Sequence, residues 1–272
     1  MAHLSLMQEV YYYRSFGSKS PLILAHGIAD DGLCWSPVAE VLSGENDVIM
    51  VDARGHRKSD APEDGYDYET MAMELAGLAT GLNLDKPALL GHSMGTATVL
   101  ILAGLFPNLP RVILLEDPPP IWKARTTTPE ENEHRAYMIA WINGFIRKTR
   151  EELLTEGRQV SPTWSNAEFE PWADAKHRFS PKIIGLFHQV DDIHIKYATL
   201  LNRVICPVLL ITADREQNAV LADDDVSGLQ KLIPHLEIAN IPGAGHNIRR
   251  EQFSRYLEVV QSFLSESGRT LA

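Results

Sequence analysis

The sequence has 272 residues, of which 44% are hydrophobic, enough to bury the core of one large α/β domain. Its 36 Asp and Glu residues outnumber its 25 Lys and Arg residues, so the formal net charge is −11. An excess of negative charge disfavours nucleic acid or an anionic membrane as the main partner. We therefore predict neither a nucleic-acid nor a membrane partner.

The cysteines and the opening segment indicate the compartment. Cys34 and Cys206 are the only cysteines, too few for a disulfide framework and not spaced as zinc ligands, so we expect a reducing environment and no metal site. The opening MAHLSLMQEVYYYRSFG lacks the basic and then apolar pattern of a secretory signal. No run of 18 uncharged apolar residues occurs. We predict a soluble protein of the cytoplasm.

Short apolar runs alternate with stretches of helical spacing along the chain. The opening LMQEVYYYRSFG alternates apolar and polar residues and predicts an antiparallel edge hairpin. The later runs are apolar on both faces, which is typical of strands in a mostly parallel sheet that helices cover on both sides. These predicted strands lie in six segments: 21–27, 47–56, 87–93, 111–120, 206–216 and 236–246.

The interval 118–204 interrupts this alternation. It contains no strand-like run, and its stretches of helical spacing carry long polar faces. At roughly 85 residues it is far longer than an ordinary connection of about 2–6 residues. We interpret it as a helical cap inserted into a core formed by residues 1–117 and 205–272.

The segment PALLGHSMG (87–95) ends a predicted strand at a serine between two glycines. A strand that turns at once into a helix needs a residue with positive φ at the corner, and the backbone crowds the positions two before and two after it. Gly91 and Gly95 remove this crowding around Ser93. The hydroxyl then lies at the carboxyl end of the sheet, beside the partly positive N-terminus of the next helix. This is the pattern of a nucleophile elbow, which makes Ser93 the candidate nucleophile.

An elbow serine needs a general base and donors that stabilise an oxyanion. His246 is the candidate base, because it follows the last predicted strand on a Gly-rich loop and so reaches the same edge of the sheet. The N–H of Met94, the residue after the nucleophile, is one expected oxyanion donor. The other is expected at Ile28, since Gly27 lets the chain turn back over the elbow.

With these motifs the sequence resembles the α/β-hydrolase family over nearly its whole length. The resemblance implies an eight-stranded, mostly parallel sheet, a helical cap after strand six, and Ser–acid–His chemistry without a cofactor. Serine at position 93 excludes the branch of haloalkane dehalogenases and epoxide hydrolases, which carry aspartate at the elbow. The matching segments fall in the family's order: HGIADDGLCW (26–35), DARGHRKSD (52–60), GHSMG (91–95), the strand at 207–213 and GAGH (243–246).

The resemblance leaves the acid of the triad open. The family commonly places it after strand seven in a pattern like G-x-x-D, which aligns here with Ala213 and Glu216 and so departs from the pattern twice. Asp214 is the neighbouring alternative. A minority, including some dehalogenases and zearalenone-type lactonases, uses an acid just after strand six, where this chain has Asp117. The three prolines after Asp117 stiffen that turn, which suits an orienting carboxylate.

These residues predict a serine hydrolase that cleaves a carboxylic ester or lactone of a small to medium hydrophobic substrate, as a monomer or homodimer. A C–C bond hydrolase of the meta-cleavage type shares the same triad, and some relatives of this kind act as small-molecule receptors with little turnover. Trp122, Trp141 and Trp164 are candidates for the substrate pocket, or they hold the cap to the core.

Overall fold

A computed structural model describes residues 8–16, 19–123, 128–188 and 193–269. Within these residues seven strands form one sheet in the order β1-β3-β2-β4-β5-β6-β7. Only β1 is antiparallel to its neighbour, so the predicted mostly parallel sheet is confirmed. The strands are β1 (Tyr12–Arg14), β2 (Pro21–Ala25), β3 (Asp47–Val51), β4 (Ala88–His92), β5 (Val112–Glu116), β6 (Val208–Thr212) and β7 (Leu236–Asn240).

The described sheet has one strand fewer than the eight expected. The opening segment supplies the single strand β1, which pairs with the edge of the parallel sheet, Tyr12 opposite Val51, rather than with a second strand of its own. Residues 1–7, where the predicted hairpin begins, lie outside the described residues. The long insertion expected after strand six therefore follows β5 in this numbering.

Helices cover both faces of the sheet, as the apolar character of its strands requires. Side chains alternate along each strand: Ile23 packs towards α2, α3, α7 and α8, whereas Leu22 and Leu24 pack towards α1 and α10. No helix among the described residues is both long and apolar enough to cross a bilayer. The α-helices are α1 (Ser36–Leu42), α2 (Tyr68–Gly81), α3 (Met94–Leu105), α4 (Pro129–Ile146), α5 (Arg150–Val160), α6 (Asn166–Ala175), α7 (Ile193–Leu201), α8 (Asp223–Leu232), α9 (Ile248–Glu251) and α10 (Phe253–Arg269).

In its described part, the segment between β5 and β6 consists of helices joined by turns and loops. Helices α4, α5 and α6, with a 3-10 helix at Pro181–His188, enclose a small apolar cluster that also includes Tyr66 from the core. The last helix of the segment, α7, packs instead on α3 beneath the sheet. The approach is close, because a Cβ at Gly104 would lie 2.6 Å from the carbonyl oxygen of Leu200.

Candidate active site

Ser93 occupies the sharp turn between β4 and α3. Its φ of 51° and ψ of −113° lie in a region that non-glycine residues rarely adopt, so the corner is strained. A Cβ at Gly91 would lie 2.5 Å from the backbone nitrogen of Thr96, and one at Gly95 would overlap the carbonyl oxygen of Ala25. There is no room for a side chain at either position, so the turn requires glycine at both.

The hydroxyl of Ser93 is not used to cap the helix that follows it. Ser93 is the N-cap residue of α3, yet its side chain makes no capping hydrogen bond. Its position at the N-terminus exposes it to the partial positive charge of the helix. Met94 is the first residue of α3, so its N–H belongs to the first turn, whose donors have no acceptor within the helix.

His246 is held by a buried carboxylate at the end of β5. The distance between His246 Nδ1 and Asp117 Oδ2 is 2.6 Å, and the side chain of Asp117 is fully buried. Asp117 directly follows β5 and has a φ of 42°, so it too occupies a strained corner. The imidazole is 29% exposed, which leaves part of the ring open towards solvent.

Further backbone donors fix the carboxylate of Asp117. The N–H of Val220 donates to Oδ2 at 2.8 Å, and the N–H of Leu221 donates to Oδ1 at 3.2 Å. The N–H of Asp117 itself donates to the carbonyl of Ile211. Together with Nδ1–H of His246, the N–H groups of Val220 and Leu221 make three donors to this carboxylate. They fix both its position and the direction of its bond to His246.

The two alternative acids lie elsewhere. Asp214 Oδ2 accepts the N–H of Gly243 at 2.7 Å, so this carboxylate shapes the loop that carries His246 without contacting the ring. Glu216 is exposed on a 3-10 helix, Arg215–Gln217. Among the three predicted carboxylates, the structure brings Asp117 to His246, whereas Asp214 binds the N–H of Gly243 and Glu216 is exposed.

The loop with Ile28 is fastened over the elbow by two buried histidines. His26 accepts the N–H of Ala53 at Nε2 and donates from Nδ1 to the carbonyl of Gly27. This arrangement needs a neutral ring, and burial lowers the pKa of His26 to about 3. His56 donates from Nε2 to the carbonyl of Ile28 at 2.6 Å. The approach to the elbow is tight, because a Cβ at Gly27 would lie 2.8 Å from Nδ1 of His92, the residue before Ser93.

His92, which the sequence analysis did not single out, also holds the His246 loop. Its Nε2 donates to the backbone carbonyl of His246 at 2.9 Å, and the two ring centroids are 4.8 Å apart. Burial, together with the nearby Arg249 guanidinium, holds the pKa of His92 well below its usual value. The ring is therefore neutral and can donate without adding a charge beside His246.

Substitution of His92 by Leu is expected to lower kcat about 10-fold to 100-fold with little change in KM, because a displaced base misaligns proton transfer. His92→Gln, which keeps an N–H donor, should recover much of this loss. Steady-state kinetics on both variants, with circular dichroism to confirm folding, would check the prediction. Equal damage in the two variants would mean that ring packing matters rather than the hydrogen bond.

A group of buried charges joins three parts of the chain. Asp30, two residues after Ile28, lies 3.0 Å from Lys176, 3.1 Å from Arg249 and 2.9 Å from Arg250. Lys176 also donates to the carbonyl of Ala29 at 2.7 Å. The Asp30 cluster, as we call it, comprises Asp30, Glu116, Glu168, Lys176, Arg249 and Arg250.

The remaining two ion pairs of the Asp30 cluster involve the residue next to the candidate acid and a residue of the segment between β5 and β6. Arg249 lies 3.3 Å from Glu116, the residue before Asp117, and Arg250 lies 3.1 Å from Glu168 on α6. Every member is buried, and each one forms an ion pair with an opposite charge of the cluster. The cluster thus fixes the loop after Ile28 against the helix that follows His246. Within the described residues, no three or more His, Cys, Asp or Glu side chains gather as a metal site.

The three predicted tryptophans have different surroundings. Trp122 packs in the large core cluster beneath the sheet, and its Nε1 donates to the carbonyl of Asp225. Trp164 is buried in the cluster of the inserted segment, with the Arg250 guanidinium 4.8 Å from its ring centroid. Trp141 is 38% exposed on α4. The structure therefore does not bring the three rings together.

Comparison with known proteins agrees with this architecture. The chain is 29% identical over 259 residues to N-formylmaleamate deformylase of Pseudomonas putida, and the alignment covers 93% of this chain and 92% of the relative. It is 35% identical over 256 residues to 2-(acetamidomethylene)succinate hydrolase of Mesorhizobium japonicum, and this alignment covers 92% of this chain and 90% of that protein.

Solved structures show the same fold. The crystal structure of E-2-(acetamidomethylene)succinate hydrolase superposes with a TM-score of 0.80 at 21% identity, covering 95% of this chain and 96% of that one. A model of the alpha/beta hydrolase family matches residues 22–260. From the sheet topology, the strained turn at Ser93 and these matches together, we conclude that the chain belongs to the alpha/beta hydrolase family.

Proposed function

We propose that the protein is a serine hydrolase that cleaves a carboxylic ester or a lactone through Ser93, His246 and Asp117. The observation that carries this proposal is the 2.6 Å contact between His246 Nδ1 and the buried Asp117 carboxylate. It orients an imidazole on the loop after β7 towards the sheet edge that carries the strained Ser93. An oriented base beside an elbow serine is the arrangement that acyl transfer requires.

In this mechanism, Asp117 keeps the proton on His246 Nδ1, so that Nε2 accepts the proton of Ser93. The serine oxygen attacks the carbonyl carbon, and the N–H groups of Met94 and Ile28 stabilise the resulting oxyanion. Collapse breaks the bond to the alcohol oxygen, which takes the proton from His246 and leaves an acyl-enzyme. His246 then deprotonates a water molecule that attacks the acyl carbon, and Ser93 regains its proton as the acid departs.

Two relatives favour a second candidate, the hydrolysis of N-acyl amides. Their names specify a deformylase of N-formylmaleamate and a hydrolase of 2-(acetamidomethylene)succinate, and both compounds carry an acyl group on nitrogen. The same residues would serve, with His246 protonating a nitrogen leaving group instead of an oxygen. Because these names also specify carboxylate-bearing molecules, short acyl groups on acidic compounds belong among the substrates to be tested.

We also propose that residues 118–204 act as a cap over the serine. The support is the separate apolar cluster formed by α4, α5 and α6. Trp141 has the most exposed ring of the three tryptophans considered, which makes it our candidate for contact with a hydrophobic substrate.

A substrate panel tests both candidates. p-Nitrophenyl esters of increasing acyl length, a set of lactones, and N-formyl and N-acetyl amides would be assayed with the wild type and with Ser93→Ala as the matched control. We expect multiple turnovers of esters or lactones by the wild type only. A higher kcat/KM on the amides would favour the second candidate.

Other outcomes of the panel would point away from ester hydrolysis. A single equivalent of product would indicate a receptor with little turnover. Activity only on meta-cleavage diketones would indicate a C–C bond hydrolase. Hydrolysis at equal rates by the wild type and Ser93→Ala would contradict the proposed nucleophile.

A further inference from the structure

A cavity of about 530 Å³ lies apart from Ser93, Asp117 and His246, between the loop after β3 and the chain after α6. Its walls are joined by two backbone hydrogen bonds, Arg57 N–H to the carbonyl of Arg178 and Ser180 N–H to the carbonyl of Gly55. No Asp or Glu from the described part of the chain lines it. Its charged and polar lining consists of Arg57, Lys58, Ser59, His177, Arg178 and Ser180.

Arg57 lacks hydrogen-bond acceptors in the described structure. Its Nε and Nη1 are buried and make no hydrogen bond there, and the nearest carboxylate oxygen of an ion pair, Asp31 Oδ2, is 3.5 Å from Nε. The guanidinium lies 5.0 Å from the ring centroid of Tyr13. Asp31 Oδ2 is also buried without a hydrogen bond, so Nε and this oxygen form a loose ion pair, and Nη1 is left without an acceptor.

The backbone of Arg57 is also in a strained conformation. Its φ is 49°, in the left-handed region where glycine is the favoured residue. A long cationic side chain at such a position is strained, and the surrounding structure must hold it there. The backbone hydrogen bond from Arg57 to Arg178 is one element that does so.

The neighbouring charges do not neutralise the cavity. Arg57 and Arg178 share the carboxylate of Asp31, which is 3.7 Å from Arg178. Burial, with the nearby Asp52 and Asp30 carboxylates, raises the pKa of Asp31 to about 7. At neutral pH this shared counter-charge is therefore incomplete, although the chain as a whole has a formal charge of −11. Arg178 also pairs with Asp174 at 2.7 Å, but that carboxylate is shared with Arg150, which lies 2.6 Å from it.

We propose that this cavity binds an oxyanion group, a carboxylate or a phosphate, of a small soluble molecule. A guanidinium presents a planar set of N–H donors that matches the oxygens of such a group. The anion would bind the cationic side chains that line the cavity, Arg57, Lys58 and Arg178, and would offset the repulsion between the two guanidinium groups. The volume lies in the usual range for sites of small metabolites, about 300–1,000 Å³.

Calorimetry and thermal unfolding test the proposal with inorganic phosphate and with citrate, against sodium chloride at matched ionic strength. Saturable binding is expected, with Tm raised by about 5 °C at 100 times Kd. In Arg57→Gly the affinity should fall at least about 10-fold, because the bidentate cation is lost. The variant should fold well, since glycine suits a φ of 49°.

Lys196→Gln is the matched control, because it removes one surface cation that pairs with Glu69 outside the cavity. It should bind like the wild type, and Arg178→Gln should weaken binding as Arg57→Gly does. Binding of phosphate alone or of citrate alone would support the proposal and identify the preferred group. Equal affinity in the wild type and Arg57→Gly, or an equal Tm shift with chloride, would overturn it.

Discussion

Replacement of Ser93 by Ala is expected to lower kcat by about 10⁴-fold to 10⁶-fold on any ester that the wild type hydrolyses. Only binding and oxyanion stabilisation remain once the nucleophile is removed. The glycines at positions 91 and 95 and the φ of 51° at Ser93 hold the turn independently of the hydroxyl, so the variant should fold normally. Steady-state kinetics and circular dichroism on the purified variant measure the two effects.

Covalent labelling gives an independent check on the nucleophile. A fluorophosphonate probe should modify Ser93 alone among the 16 serines, and peptide mapping would locate the adduct. Ser254→Ala, a change at an exposed position on α10, serves as the control and should keep both labelling and turnover. An adduct on another serine, or near wild-type turnover by Ser93→Ala, would contradict the proposed mechanism.

The second large effect is expected at the carboxylate that contacts His246. Asp117→Asn should lower kcat by about 10⁴-fold, because the amide supports the wrong tautomer of the imidazole and does not stabilise the imidazolium. The change also places an NH₂ group among the N–H donors of Val220, Leu221 and His246, where only an acceptor fits. kcat measured on one activated ester would show the loss.

Glu216→Gln and Asp214→Asn are the matched controls for this prediction. Glu216 is exposed, so its replacement should leave kcat nearly unchanged. Asp214 accepts the N–H of Gly243 in the His246 loop, so its replacement should cause a much smaller loss than that of Asp117. A large loss of kcat in Glu216→Gln, together with a kcat close to that of the wild type in Asp117→Asn, would show that the triad acid follows β6 instead.

Local pattern was sufficient to predict most of the sheet. Each of the six apolar runs contains one of the strands β2 to β7. Strands β2 to β6 are buried on both faces and so leave a continuous apolar signature, whereas the edge strand β7 is exposed over much of its length. The strained turn at Ser93 was also predictable, since both glycines that it requires lie within two residues of the serine in the sequence. The opening segment supplies an antiparallel edge strand, β1, which pairs with the distant β3, and the start of the predicted hairpin lies outside the described residues.

Contacts between distant segments were beyond the local pattern. Asp117, Asp214 and Glu216 all follow strands at the same sheet edge, and only the packed structure shows which carboxylate contacts His246. His92 looks like an ordinary residue at the end of a strand until its bond to the His246 carbonyl is seen. No rule of spacing relates partners such as Asp30 and Arg250, which are 220 residues apart.

The Asp30 cluster restricts how this protein can exchange parts with its relatives. The inserted segment contributes Lys176 and Glu168, and the rest of the chain contributes Asp30 and Arg250. A chimaera that received a foreign segment without matching charges would leave core charges buried and unpaired, at about 3–5 kcal/mol for each broken pair. We therefore expect a transplanted segment to fold on the core only together with its buried partners, so that substrate preference is changed more readily by point substitutions within the segment than by its replacement.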